Sequence, residues 1–120
     1  MDYRQLSRFL AAGRASIGVV ALVAPGAGLR AIGVEASGGA KLITRAFAGR
    51  ELALGLGTLR SLDHQRHSDD WVRAGAAADV VDATAVVLAS RSLGLLRTIV
   101  GATIAAGAAV VGLRAADRLD

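Results

Sequence analysis

Six charged side chains interrupt stretches of this chain that are otherwise apolar: Arg14, Arg45, Arg50, Glu51, Asp79 and Asp82. Three are cationic and three anionic, so the set sums to zero. Asp79 and Asp82 are three apart, which puts them on one face of a helix. Arg50 and Glu51 are adjacent, about 100° apart on a helix of 3.6 residues per turn. They therefore face different neighbours. Folding the second apolar stretch onto the third, about the middle of the 60–72 segment, sets position 50 level with position 82. Arg50 is then placed to pair with Asp82 or Asp79, and a guanidinium can engage a carboxylate through two hydrogen bonds. Glu51 is left to Arg14, which lies in the middle of the first stretch. Arg45 is near the start of its stretch, where a long side chain can reach outward to water. Two kinds of chemistry suit such a set. Ionisable groups inside a membrane mark ion, proton or substrate paths. A neutral set can instead lock the register of packed helices, and the balance of signs favours the lock.

Other chemistry finds less support. His64 and His67 are three apart and flanked by Asp63, Asp69 and Asp70, a spacing that could share a metal. A solvated polar connection, SLDHQRHSDD, explains them fully, and no metal or cofactor is expected. Gly55-x-Gly57 lacks a preceding strand and a third glycine, so it is not a dinucleotide fingerprint. Its glycines read as points of close helix approach. No Ser, Thr or His is arranged as a nucleophile with its base. Cysteine is absent, which removes a thiol nucleophile, a disulfide framework and a Cys-type zinc site. The chain is not expected to be an enzyme. Small residues four apart, Gly101/Ala105 and Thr103/Gly107, mark a packing face inside the bundle or between the protomers of a homo-oligomer.

The elements that must position these residues follow from hydropathy. Four apolar stretches run from about Leu6 to Ala24, Leu42 to Leu59, Trp71 to Ser90 and Leu95 to Ala115. Each is about 18–20 residues, close to the length that crosses a bilayer. Alternation with period two is absent, and Ala and Leu favour helix. The sequence therefore predicts helices over about 4–24, 40–59, 70–90 and 95–116, joined up and down in one all-α, four-helix transmembrane domain spanning 1–120. Pro25-Gly26 ends the first helix and Gly38-Gly39 precedes the second. Asp69 and Asp70 are candidate N-caps of the third. Leu29, Ile32 and Ala36 share a face, which suggests a short interfacial helix within 27–39.

Composition agrees with a membrane rather than with water. Of 120 residues, 53% are hydrophobic, but only Tyr3, Phe9, Phe47 and Trp71 are aromatic. A core of Ala, Val, Leu and Gly buries little area per residue, whereas small residues suit helix contacts in lipid. Charged residues make up 20%, against about a quarter in soluble domains. Low polarity excludes a disordered chain. The net charge is +4, nearly all the cations are Arg, and no compact basic run is interleaved with aromatics. Nucleic acid is therefore not an expected partner. With four spans, one side carries Arg4, Arg8, Arg60, Arg66, Arg73, Arg114 and Arg118, and the other Arg30, Lys41, Arg91 and Arg97. The excess on the first side places both termini in the cytoplasm. Arg4 and Arg8 before an apolar run also fit a signal peptide. However, Arg14 interrupts that run, and three further apolar stretches follow.

The string Arg45-Ala-Phe-Ala-Gly-Arg50-Glu51-Leu-Ala-Leu-Gly55-Leu-Gly57, followed by Trp71 and by Ala78-Asp79-Val-Val-Asp82-Ala83, resembles a family of small four-helix bacterial integral membrane proteins of unknown function. The first stretch ending in Ala24-Pro25 fits the same pattern, and the resemblance covers roughly residues 5–115. It implies the fold and a location in the bacterial inner membrane, and no activity. It carries Arg45, Arg50, Glu51, Asp79 and Asp82; Arg14 and the two histidines lie outside it.

Three functions compete at this point. The first is a non-enzymatic membrane protein, held together by its buried charges and in contact with the lipid bilayer, such as a small accessory subunit. The second is a small proton-coupled transporter or exporter working through Asp79, Asp82 or Glu51. The third is a soluble helical bundle that binds an apolar ligand. It would need long polar faces, and the fourth stretch offers none between Thr98 and Leu113.

Overall fold

The computed structural model describes residues 1–88 and 90–119. Among them the chain is all-helical, without strands. The helices are α1 (Tyr3–Val23), α2 (Pro25–Ala31), α3 (Gly38–His64), α4 (Ser68–Leu88), α5 (Ser90–Leu93) and α6 (Leu95–Ala116).

Local chemistry sets the boundaries. α1 opens on a capping box: Asp2 Oδ1 accepts from the Gln5 amide at 2.7 Å, and the Asp2 amide donates to Gln5 Oε1 at 3.3 Å. Two otherwise orphaned donors are satisfied reciprocally. Pro25 ends α1 and also begins α2, because its fixed φ and missing N–H suit the first helical position. α2 closes at Gly33, whose φ is +72°. There the Gly33 amide donates to Arg30 O and the Val34 amide to Leu29 O, the paired bonds of a Schellman turn. The short helix expected within 27–39 thus lies earlier, at Pro25–Ala31, and Ile32 and Ala36 fall beyond its end. Ser37 caps α3 through its Oγ, which accepts from the Ala40 amide at 3.2 Å. Gly38 and Gly39 are consequently the first residues of α3 rather than a hinge before it.

The polar 60–72 connection is also shorter than the sequence suggests. α3 continues to His64, and a three-residue turn follows with Gln65 and His67 at positive φ. α4 begins at Ser68, so Asp69 and Asp70 occupy its first turn instead of the cap. Acidic side chains there still favour the positive end of the helix dipole. The short α5 carries no hydropathy signal of its own; Gly94, at φ +83°, separates it from α6.

The chain divides into two compact units, Arg8–His64 and Met1–Ser7 with Gln65–Asp120. In the first, α1 runs antiparallel to α3. Residue 8 meets 63, 14 meets 51, 18 meets 48 and 52, and 22 meets 45. The backbones touch at two glycines. A Cβ on Gly18 would stand 2.7 Å from Leu52 N, and one on Gly55 2.6 Å from Ala15 N. No other residue fits at either point. In the second unit α4 packs antiparallel along α6. Val72 meets Ala115 and Ala116, Ala76 meets Gly112, and Val86 meets Gly101.

Burial is inverted relative to a water-soluble protein. Leu29, Leu62 and Val72 are the only buried branched aliphatics among the described residues. The other buried positions are mainly Ala and Gly, with Ser7, Glu51, Thr58, Ser61, Ser68, Asp79 and Thr98. The large apolar side chains point outward: Phe9 is 70% exposed and Leu88 81%, and Val20, Leu42, Ile43, Val81, Leu96 and Ile104 are exposed with them. α1 and α6 are long and apolar enough to cross a membrane. α3 and α4 fall short of that standard, and they are the helices that carry Arg45, Arg50, Glu51, Asp79 and Asp82.

Candidate functional site

The charged cluster of the Arg8–His64 unit is built on the seam between α1 and α3. The buried positions of α3 recur at helical spacing: Ala48, Glu51, Gly55, Thr58 and Leu62. That periodicity puts Glu51 on the face that meets α1. From α1, Arg14 Nη1 donates to Glu51 Oε2 at 2.8 Å. From within α3, Arg50 Nη2 and Nε donate to Glu51 Oε1 at 3.0 and 3.3 Å. Both carboxylate oxygens are therefore engaged. The Glu51 side chain is 6% exposed and that of Arg14 17%. The Gly18 and Gly55 contacts flank this pair and bring the helices close enough for it to form.

The pairing of Glu51 with Arg14 expected from the folded geometry is present. Arg50 and Glu51 are also paired with each other along α3. Their Cα–Cβ bonds diverge, but the arginine stem is long enough to swing its guanidinium back to the adjacent carboxylate. The same guanidinium lies over the Phe47 ring, 5.0 Å from its centroid, a cation–π contact one turn away on the same helix. In the sequence the only signal of this contact is the i, i+3 spacing of Phe47 and Arg50. Arg50 belongs to one unit, and Asp79 and Asp82 to the other. Asp79, on α4, is buried and Asp82 half-buried.

The remaining polar groups of the seam are local. Thr58 Oγ1 donates to Leu54 O and Ser61 Oγ to Thr58 O, so these buried hydroxyls are satisfied by their own helix. Arg45 Nε donates to Leu22 O at 3.4 Å, near the C-terminus of α1. A cation there suits the negative end of the helix dipole. At the opposite end Arg8 and Asp63 pair at 2.6 Å, both about half-exposed. The other unit has its own end pair, Arg73 with Asp117 at 2.8 Å, and Arg118 lies over the Tyr3 ring at 5.2 Å.

The two histidines point to no shared ligand. His64 Nδ1 donates to Arg60 O at 2.8 Å, and His67 Nδ1 is 3.5 Å from Asp70 Oδ2. Among the described residues no group of three His, Cys, Asp or Glu is gathered to hold a metal. The small residues of α6 divide between two faces. Gly101 packs on Val86 and Gly112 on Ala76, and Ala105 is half-buried between them. Thr103 and Gly107 are exposed, and nothing lies within 4 Å of a Cβ placed on Gly107. No family model, curated protein or solved structure matches the chain.

Proposed function

We propose that the chain is a small, non-enzymatic, multi-pass membrane protein of four spans. In this reading α1, α3, α4 and α6 are the spans, both termini are cytoplasmic, and the Arg14–Glu51–Arg50 cluster holds a helix hairpin together. The observation that carries it is the inverted burial. Apolar patches beyond a few hundred Å² are rare on soluble monomers, and each Å² kept in water forgoes about 25 cal/mol. A bilayer reverses that cost. It also explains why small residues fill the interior, where close contact rather than the hydrophobic effect holds helices. Lipid exposure of an Arg or Asp at mid-span costs about 2.5–3.5 kcal/mol, and the inward position of Glu51 avoids its share. The resemblance to small four-helix bacterial membrane proteins points the same way. α3 has 27 residues, so at 1.5 Å per residue its polar end, from Arg60 onward, extends past a hydrocarbon core of about 30 Å.

The absence of cysteine gives a clean background for the test. Membranes from expressing cells are washed with alkaline carbonate, and single cysteines are placed at Glu35, Gln65 and Arg91. The chain is expected to stay with the membrane. An impermeant thiol reagent should label Glu35→Cys and Arg91→Cys in spheroplasts, and Gln65→Cys only after lysis. Release by carbonate would overturn the membrane reading in favour of a soluble bundle. Labelling of Gln65→Cys from outside would overturn the orientation.

A further inference from the structure

The end of the Arg8–His64 unit where α1, α2 and α3 meet gathers three cations. Arg30 lies in the last turn of α2, Lys41 in the first turn of α3 and Arg45 one turn on. Positions 41 and 45 share a helix face. Arg30 and Lys41 converge over the buried Gly26: a Cβ there would lie 3.2 Å from Arg30 Nη1 and 3.3 Å from Lys41 Cε. Two like charges are thus brought over one point, and neither has an ion-pair partner among the described residues. Glu35, the one acid in the 24–50 segment, is exposed and pairs with none of the three. Around the cations Val23, Ile32, Leu42 and Ile43 are all exposed. An uncompensated basic cluster calls for an anion, and a rim of outward apolar side chains suits one attached to hydrocarbon.

We propose that Arg30 and Lys41, with Arg45 beside them, bind a phosphate group, and that its source is the head group of an anionic phospholipid. Arg supplies a planar fork for phosphate oxygens and Lys a compact charge. The exposed aliphatics would lie along the acyl chains. The lipid source rests on the membrane reading; the phosphate chemistry rests on the cluster alone.

The test uses the full chain purified in detergent and native mass spectrometry. It is titrated separately with phosphatidylglycerol and phosphatidylcholine, and with phosphatidylglycerol in the presence of millimolar inorganic phosphate. The parent should prefer phosphatidylglycerol. Arg30→Gln with Lys41→Gln should weaken that binding about 30-fold, from the usual contribution of two basic side chains at an anionic surface. Arg66→Gln, an exposed cation in the turn after α3, should leave it unchanged. Circular dichroism of the double variant should match the parent, since Arg30 is exposed and Lys41 half-exposed. Displacement of the lipid by inorganic phosphate would support the site with the free anion as its ligand. No displacement would support the lipid. Equal binding of both lipids by the parent, or an undiminished preference in the double variant, would overturn the site. A parent stripped from membranes by carbonate would overturn the membrane reading and the lipid source with it; a parent retained in membranes separates the two failures.

Discussion

The two helix hairpins, α1 with α3 and α4 with α6, solve the same packing problem by different means. Each joins a helix apolar enough to cross a membrane to one that carries interior charge. In α1/α3 the backbones themselves meet at Gly18 and Gly55, and an ion cluster sits between those contacts. In α4/α6 a Cβ placed on Gly101 or Gly112 would meet side chains instead, Val86 at 3.3 Å and Ala76 at 3.2 Å. The ion pair joining α4 to α6 there lies at the end of the hairpin, between Arg73 and Asp117. An interior ion pair fixes register, because a slip of one turn strands its charges; alanine and valine contacts tolerate a slip more readily. The first hairpin therefore has its alignment specified by electrostatics and sterics together.

Substitutions can break or sharpen this contrast. The largest effect is expected from Glu51→Gln, which keeps the shape and leaves two guanidiniums without their shared carboxylate. Loss of one partner from a buried ion pair costs about 3–5 kcal/mol. Unfolding of the detergent-purified protein in increasing dodecyl sulfate would measure it, and parent-like stability would remove the lock from the account. Next come Gly18→Ala and Gly55→Ala, where an added methyl strikes backbone and α1 must retreat. About 1–3 kcal/mol is expected from overpacking. Gly112→Ala should cost less, since the opposing Ala76 Cβ needs to yield by only a few tenths of an ångström. If Gly112→Ala equals or exceeds Gly55→Ala, the contrast between backbone and side-chain contact fails. Smaller still is Arg73→Gln, which removes a partly exposed end pair worth about 0–1 kcal/mol. Gly107→Ala should be neutral or stabilising by up to about 1 kcal/mol, from helix propensity with open space around it. A loss of oligomer on cross-linking this variant would instead place Gly107 in a protomer contact.

Much of the helical organisation was legible in the sequence because it rests on local periodicity. α1 and α6 have bounds close to those that hydropathy suggests, since Pro25 stops α1 and no charge interrupts α6 from Thr98 to Leu113. The less legible parts have short-range causes that hydropathy does not weigh. The Asp2/Gln5 capping box, the Ser37 cap and the Schellman turn at Gly33 depend on single hydrogen bonds. They moved α2 and lengthened α3 at its start. α3 runs on through Arg60–His64 although Ser, Asp and His are indifferent helix formers: Ser61 and His64 donate to carbonyls one turn back, and Asp63 pairs with Arg8. In the site, Glu51 could be assigned to Arg14 by reasoning on the level of residues along a hairpin. The bond from Arg50 to the adjacent Glu51 was not legible from backbone direction, because a side chain with four rotatable bonds covers a wide arc.

The sequence by itself determined that this protein is helical, that its apolar mass is made of small and aliphatic residues, and which six charges interrupt that mass. Composition and periodicity are properties of neighbours along the chain, so no fold is needed to read them. The tertiary structure decided which face of each helix turns inward, that glycine rather than side-chain volume sets the α1/α3 distance, and that one carboxylate serves two guanidiniums. It also decided that Arg30 and Lys41, eleven residues apart, converge over Gly26. Each of these depends on the separation between elements distant in sequence, which hydropathy does not encode.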